Sequence, residues 1–511
     1  MVEIFFKDLC PAYFSVLGWI VRRIFLGYEY RVQHNTSMVF RMYLRNIKAK
    51  YFALLFGLGL VMYWQTSVGK DRPNLIIILV DDLGYGDLGM HGSRQIPTPY
   101  IDRLGAEGIV FKTAYVSSTV CAPSRAGLLT GKNQLRFGFN NNFGPDQPGF
   151  NPEFKGLPLS ERTLADRLSV LGYTTGLIGK WHLGEKPHFH PLKRGFDEFW
   201  GFLGGGHDYF EARNAGEDLL SPIHCNYKTP EPLTYMTDDI GNESVDFIKR
   251  HRDTPFFLLV SFNAPHSPMQ ARNDDLELFG HIENDLRRTY CAMVYRLDQN
   301  VGKILDTLKE QGLEENTFVV FLSDNGGPSV DPIANGSVNA PFRGQKTTLL
   351  EGGIRVPFIF KWPNELDKGM DIGEVVSALD IVPTFMAVAG APVSSDENLD
   401  GMNLLPFLTD ARKSIPNRAL KWGYTVSMAY RQGDWKLIRL PDRLPMLYDL
   451  STDIAEQHDV ALLHLDRTKA MLKELGDWDH RLPQPIFLEP PSWRVRHLMF
   501  YDADYMLVQP E

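Results

Sequence analysis

Two pairs of oxygen-bearing side chains, Asp81-Asp82 and Asp324-Asn325, each follow a short apolar run in this sequence. Adjacent carboxylates leaving a buried strand are costly unless positive charge meets them. A hard cation with oxygen ligands, Ca²⁺ ahead of Mg²⁺, is the natural partner. A lone Asp-Asp pair reads sooner as a solvated loop start, but two such clusters reinforce each other. Lysines and histidines follow apolar runs as Lys180-Trp181-His182 and as Asn263-Ala264-Pro265-His266, and beyond the fourth run Arg343-Gly344-Gln345-Lys346 adds two cations in a Gly-containing loop. Residues i and i+2 share a strand face, so Lys180 and His182 can point into one pocket while Trp181 packs away. Cationic and imidazole groups facing a metal ion describe a site for a small dianionic group. Cys121-Ala122-Pro123-Ser124-Arg125 opens a helical-looking segment, with Pro123 in the first turn. A cysteine at a helix N-terminus, where free N–H groups favour an anion, is a candidate nucleophile through a stabilised thiolate. The alternative for an isolated cysteine is a buried small residue.

The elements that must position these groups are legible as apolar runs. Leu75–Val80, Thr174–Gly179, Phe256–Phe262 and Phe318–Leu322 are strand-length and apolar at most positions, as in a sheet covered on both faces. Leu164, Leu168 and Leu171, then Leu297, Val301, Ile304, Leu305 and Leu308, recur at helical spacing. This alternation predicts an α/β fold with a largely parallel sheet, whose strand C-termini share one ligand-binding edge. After about Gly401 the texture changes. Met428–Leu440 and Met446–Leu450 read as antiparallel strands with a turn at Gln432-Gly433-Asp434, and a helix is expected near Leu462–Leu475. A smaller α+β subdomain follows from this, and the proline-rich tail from Pro483 reads as an extended wrap over the surface. The expected organisation is a leader over 1–69, a catalytic domain over 70–400, and a C-terminal subdomain with its tail over 401–511.

Composition bounds the function. The chain has 511 residues, 53 Lys plus Arg against 62 Asp plus Glu, and a formal charge of −9. An acidic balance with scattered charge argues against nucleic acid, whose binding needs a basic surface. Four cysteines, Cys10, Cys121, Cys225 and Cys291, are too few and too widely spaced for a disulfide framework. Pairing of Cys225 with Cys291 stays open. The apolar run 51–64 follows Arg45, Lys48 and Lys50. At ~1.5 Å per helical residue it is too short for the ~30 Å hydrocarbon core, so a signal-peptide core with Lys70 as the mature start fits better than an uncleaved anchor. The long leader before it, with Met38 and Met42 inside, favours a start later than Met1. Either reading exports the remainder, to a periplasm, the exterior or a secretory compartment, with membrane contact only through an uncleaved N-terminal segment. Asn35, Asn242 and Asn335 head glycosylation triplets.

The segment Cys121-Ala-Pro-Ser-Arg125-Ala-Gly-Leu-Leu-Thr-Gly131 resembles the signature of the type I sulfatases, in which the cysteine is oxidised to Cα-formylglycine. The likeness extends to Asn74–Asp87, Gly179-Lys-Trp-His-Leu-Gly184, Ala264-Pro-His266, Ser323-Asp-Asn-Gly-Gly327 and Lys346–Pro357, in the family's order over about residues 72–480. It implies an alkaline-phosphatase-like sandwich. It further implies that Asp81, Asp82, Asp324, Asn325 and the modified Cys121 bind Ca²⁺, that Arg125 stabilises the formylglycine hydrate, and that Lys180, His182, His266 and Lys346 surround the sulfate. The implied reaction is hydrolysis of a sulfate ester. A hydroxyl of the hydrate attacks sulfur, helped by Asp324. His266, assisted by Lys346, protonates the leaving oxygen, and His182 assists release of sulfate. A carbohydrate sulfate is the leading substrate class, with Gly204–Tyr209 and parts of Asn140–Phe150 as pocket rim, and a formylglycine-generating enzyme is the implied maturation partner. The rivals are a formylglycine-dependent phosphonate monoester or phosphodiester hydrolase, and a non-catalytic metal-binding homologue.

Overall fold

The computed structural model describes residues 72–142, 152–211, 222–227, 233–391, 398–410, 412–488 and 491–506. The leader, its apolar run and rim residues 143–150 lie outside the described residues. Among the described residues, no helix is long and apolar enough to cross a membrane.

Nine strands form the main sheet: β1 (Asn74–Val80), β2 (Ile109–Tyr115), β3 (Thr174–Lys180), β4 (Glu198–Phe202), β5 (His224–Cys225), β6 (Phe256–Ser261), β7 (Thr317–Ser323), β8 (Phe358–Lys361) and β9 (Met370–Ser377). Their order is β5-β4-β3-β6-β1-β7-β8-β2-β9. The central strands β4, β3, β6, β1 and β7 are mutually parallel, while β8 and β5 run against their neighbours. Every residue of β1, β6 and β7 is buried. Alternation along β1 explains why. Leu75, Ile77 and Leu79 enter one core with helices α2 (Cys121–Thr130), α3 (Leu164–Ser169) and α6 (Ile381–Val388). Ile76, Ile78 and Val80 enter the other with α1 (Pro99–Ala106), α4 (Met236–Arg250) and α5 (Asp285–Glu310). The four expected strands are present as β1, β3, β6 and β7.

The second sheet is antiparallel, β10 (Ala419–Tyr424), β11 (Ser427–Gln432), β12 (Trp435–Arg439) and β13 (Met446–Asp449) in that order. Helix α7 (Leu465–Asp479) packs on one face through Met471 and Leu475. The other face joins the main core, where Trp422 Nε1 donates to the Val116 carbonyl at 2.8 Å. The tail departs from expectation, because Pro491–Met506 forms a helix, α8. The closely spaced prolines from Pro483 run to Pro491, and that residue starts the helix where a missing N–H costs nothing. His497, Phe500 and Tyr501 then recur at helical spacing and are buried.

Candidate active site

Strand register brings the chemistry-bearing residues to one edge. Val80 of β1 lies beside Ser323 of β7, Leu79 beside Ser261 of β6, and Gly179 of β3 beside Ser261. The residues that follow, Asp81-Asp82, Asp324-Asn325, Lys180 and the segment to His266, therefore emerge level. Asp324 N donates to Val80 O at 2.9 Å and Asp81 N to Ala264 O at 3.2 Å, fixing three exits together. Gly179 permits the closest approach, since a Cβ there would lie 1.9 Å from the Ser261 carbonyl oxygen. β2 leads after five residues into α2, whose first residue is Cys121. Asp82, His182 and Thr347, all bordering this edge, hold φ of 64°, 57° and 77°. Left-handed backbone at non-glycine residues is costly and collects where function requires it.

Cys121 Sγ lies 3.4 Å from Asp81 Oδ1 and 3.1 Å from Lys346 Nζ. Lys346 Nζ also donates to both Asp82 oxygens, at 2.7 and 2.8 Å. Lys180 Nζ donates to Asp81 Oδ2. Arg125, wholly buried, meets Asp324 Oδ2 through Nε and Nη2, both at 2.9 Å, and donates from Nη1 to Ser261 Oγ at 2.6 Å. Asn325 Nδ2 donates to Asp82 Oδ1 at 2.6 Å. His266 Nδ1 donates to Ser267 O at 2.6 Å, which leaves Nε2 as the nitrogen facing Asp82 at 3.6 Å. His182 is buried beside Gly205, where an added Cβ would stand 2.6 Å from Nε2.

Burial and mutual charge set the protonation states. Burial works against ionising Asp81, but Lys180, His266, Arg125 and Lys346 overcome it and hold its carboxyl far below the usual range. Burial and the Asp81 charge push Asp324 up. The Lys346 ammonium is opposed by burial yet held charged by Asp82, well above the ordinary lysine value. Burial, reinforced by Lys180 and Arg125, keeps His182 neutral. Burial also lowers His266, while Asp81 and Asp82 pull the other way.

The donor set suits a hard cation. Atoms of Asp81, Asp82, Cys121 and His266 lie within 4.8 Å of one another. Asn325 Oδ1 is buried with no hydrogen-bond partner, next to three buried carboxylates. An orphaned amide oxygen among carboxylates offers the oxygen ligation that Ca²⁺ prefers.

The structure thus brings together Asp81, Asp82, Cys121, Arg125, Lys180, His182, His266, Asp324, Asn325 and Lys346. Two local expectations are corrected and one open question is closed. The Cys121 thiol is pushed up, by burial first and Asp81 second, so the helix N-terminus does not make it a thiolate. The Ala122 N–H at that terminus donates to Asn142 Oδ1 at 2.9 Å. Arg343 turns away, bonding Glu456 O and lying over the Tyr448 ring. Cys291 is a buried free thiol, so the Cys225–Cys291 pair is not formed. Sequence reasoning missed Ser261, whose only signal was a hydroxyl closing an apolar run. It also missed Asn335, buried in its glycosylation triplet, whose Nδ2 donates to Pro265 O at 3.2 Å and Asp82 O at 3.4 Å. The rim residue Tyr209 shares its hydroxyl proton between Asn263 O at 3.0 Å and His266 O at 2.9 Å.

Known proteins resemble this chain in sequence and in fold. The sulfatase family model matches residues 73–391, and that of the N-sulphoglucosamine sulphohydrolase C-terminal region matches 344–477. N-acetylgalactosamine-6-sulfatase of Homo sapiens is 37% identical over 361 residues, covering 68% of this chain and 67% of that one. The crystal structure of Ps i-CgsB in complex with k-i-k-neocarrahexaose has a TM-score of 0.76 at 35% identity, covering 85% of this chain and 99% of that one. Phosphonate monoester hydrolase of Agrobacterium radiobacter, at TM-score 0.55 and 19% identity over 83% of this chain and 96% of that one, shares the fold alone. With the matched motifs level on one sheet edge, the chain belongs to the type I sulfatase family.

Proposed function

We propose that this protein hydrolyses sulfate esters of a carbohydrate, with Cys121 oxidised to formylglycine and Ca²⁺ held by Asp81, Asp82, Asp324, Asn325 and the modified residue. The observation that carries the reading is Cys121 Sγ placed between Lys346 Nζ at 3.1 Å and the Asp81 carboxylate at 3.4 Å. The hydrated aldehyde supplies an oxygen nucleophile, and the cation supplies positive charge against it.

The chain's own residues do the rest. Arg125, clamped by Asp324 and Ser261, holds position 121 and its carboxylate neighbours in fixed geometry. Lys180 and Lys346 present ammonium groups to the sulfuryl oxygens, where negative charge must be stabilised. His266 moves a proton at Nε2, because its Nδ1 hydrogen is committed to Ser267 O. Acting as the imidazolium, with a proton on each ring nitrogen, it gives up the Nε2 proton to the leaving alcohol oxygen and keeps the Nδ1 proton on Ser267 O. His182, kept neutral by its surroundings, accepts a proton as sulfate departs. Closing the pocket on the other side, Gly205 lies against His182 and Tyr209 anchors the His266 carbonyl.

The carbohydrate assignment follows the names of the relatives, an N-acetylgalactosamine-6-sulfatase and a protein crystallised in complex with k-i-k-neocarrahexaose. A secreted or secretory-compartment location follows the apolar run at 51–64, and a formylglycine-generating enzyme is the required maturation partner. The test has two parts. Mass spectrometry of the peptide spanning Cys121 should give formylglycine, and an unmodified cysteine in active-host material would support a non-catalytic homologue. A panel of sulfated mono- and oligosaccharides beside an aryl phosphodiester should show release of sulfate, and preferential phosphodiester turnover would overturn the assignment.

A further inference from the structure

Lys346 reaches Cys121 from a segment without regular secondary structure, between β7 and β8. One side of that segment is tied to the approach to α2. Thr347 N donates to Thr119 O at 3.1 Å, and Thr119 Oγ1 donates to Thr348 O at 2.8 Å. The other side is met by α8, which lies beyond the last family-matched residue, 477. Leu349 N donates to Tyr501 Oη at 2.7 Å. His497 of the same helix is bonded through Nε2 to Ser427 Oγ of the second sheet. His497 and Tyr501 are 1% and 2% exposed.

We propose that α8 is a clamp for Lys346, with Tyr501 as its positioning residue. Thr347 holds a left-handed φ of 77°, a conformation that persists only where its neighbours enforce it. The enforcing contacts are Thr119 on one side and the Tyr501 hydroxyl on the other. Tyr501 satisfies the buried Leu349 amide three residues from Lys346. Without that acceptor the amide must find another by moving the segment, and Lys346 Nζ moves with it. A displacement near 1 Å at a reacting centre costs up to about 10²-fold in rate. The kinetic consequence rests on the reading that Lys346 acts on the sulfate, whereas the clamp itself does not.

Tyr501→Phe tests the clamp with minimal damage to packing, and Ser427→Ala loosens α8 through His497 as a second variant. Met499→Ala, on the exposed face of the same helix, is the control. For Tyr501→Phe, kcat on an aryl sulfate should fall roughly tenfold with KM within about twofold, since misaligned charge costs most in the transition state. Hydrogen exchange at the Leu349 amide should quicken at least tenfold, and Met499→Ala should change neither. Unchanged exchange at Leu349 overturns the clamp whatever the kinetics. Faster exchange with wild-type kcat shows a contact that stabilises the fold alone, and also overturns it. An unmutated enzyme that releases no sulfate from any ester refutes the proposed function, and exchange then decides the clamp by itself.

Discussion

Replacing Lys436 by methionine tests whether one buried ion network holds the second sheet to the segment behind Lys346. Lys436 on β12 is fully buried, with Nζ 2.9 Å from Glu351 Oε1 and 2.9 Å from Glu456 Oε1. Glu351 keeps other partners in the variant, the Tyr115 hydroxyl at 2.6 Å and Arg355 Nη1 at 3.1 Å. Among the described residues, the Glu456 carboxylate keeps the Glu351 amide, at 2.6 Å, and no cation. Burial already raises Glu456, whereas Lys436, Arg355 and Arg431 overcome burial and hold Glu351 down at about 2. Removing one partner of a buried pair costs ~3–5 kcal/mol, and protonation of Glu456 offsets part of it, so about 3 kcal/mol is expected at pH 7. Adding Glu456→Gln removes the stranded carboxylate and should recover about 1–2 kcal/mol. Urea unfolding monitored by fluorescence, with the double-mutant cycle, measures both quantities. A loss under about 1 kcal/mol, or a double variant no more stable than the single one, would refute the assignment of Lys436 as the counter-charge for two glutamates.

Gly205→Ala places a Cβ 2.6 Å from His182 Nε2. Turnover should fall at least tenfold, with a thermal midpoint within about 2 °C of the parent because only the ring must move. Wild-type kcat in that variant would show that the Gly204–Tyr209 loop does not constrain His182. His497 contributes a pH dependence of known sign. Burial holds it at about 4 in the folded protein against 6.5 ordinarily, and its ring neighbours Tyr424 and Tyr501 carry no charge. Above pH 6.5 the imidazole is neutral in both states and adds no slope. As pH falls from 6.5 towards 4, the unfolded chain binds a proton that the folded chain refuses, so stability is lost, on the order of 3 kcal/mol. His497→Gln should remove that share of the slope in denaturant titrations at pH 7, 6, 5 and 4, and identical slopes in the two proteins would contradict the burial.

The sheet was readable because a strand buried on both faces writes a nearly unbroken apolar run, and the polar residues that end it mark the ligand edge. Asp81-Asp82, Lys180 and Asp324-Asn325 sit at such an ending, and His266 follows the end of β6 by five residues. What stayed hidden depends on partners distant in sequence. Arg343 and Lys346 have the same charge three residues apart, yet one bonds Glu456 O and the other Asp82. The Cys121 thiol is raised by burial and by a carboxylate forty residues earlier, against the local preference of its helix terminus. The tail helix was masked by the prolines before it, and only its contacts with Ser427 and Leu349 reveal what its aromatic side chains hold.

The accuracy of the site is inherited from strand register more than from its loops. Asp82 and Asn325 are 243 residues apart, and their 2.6 Å contact follows from Val80 lying beside Ser323 in a continuous seven-pair parallel register. A slip of one residue between β1 and β7 would send alternate side chains to opposite faces. Leu75, Ile77 and Leu79 would exchange cores with Ile76, Ile78 and Val80, an arrangement that two separately packed cores resist. The apolar cores therefore specify the same alignment that the acidic pair requires. The left-handed residues Asp82, His182 and Thr347 stand just outside those cores, where a few enforced turns convert a fixed edge into converging side chains.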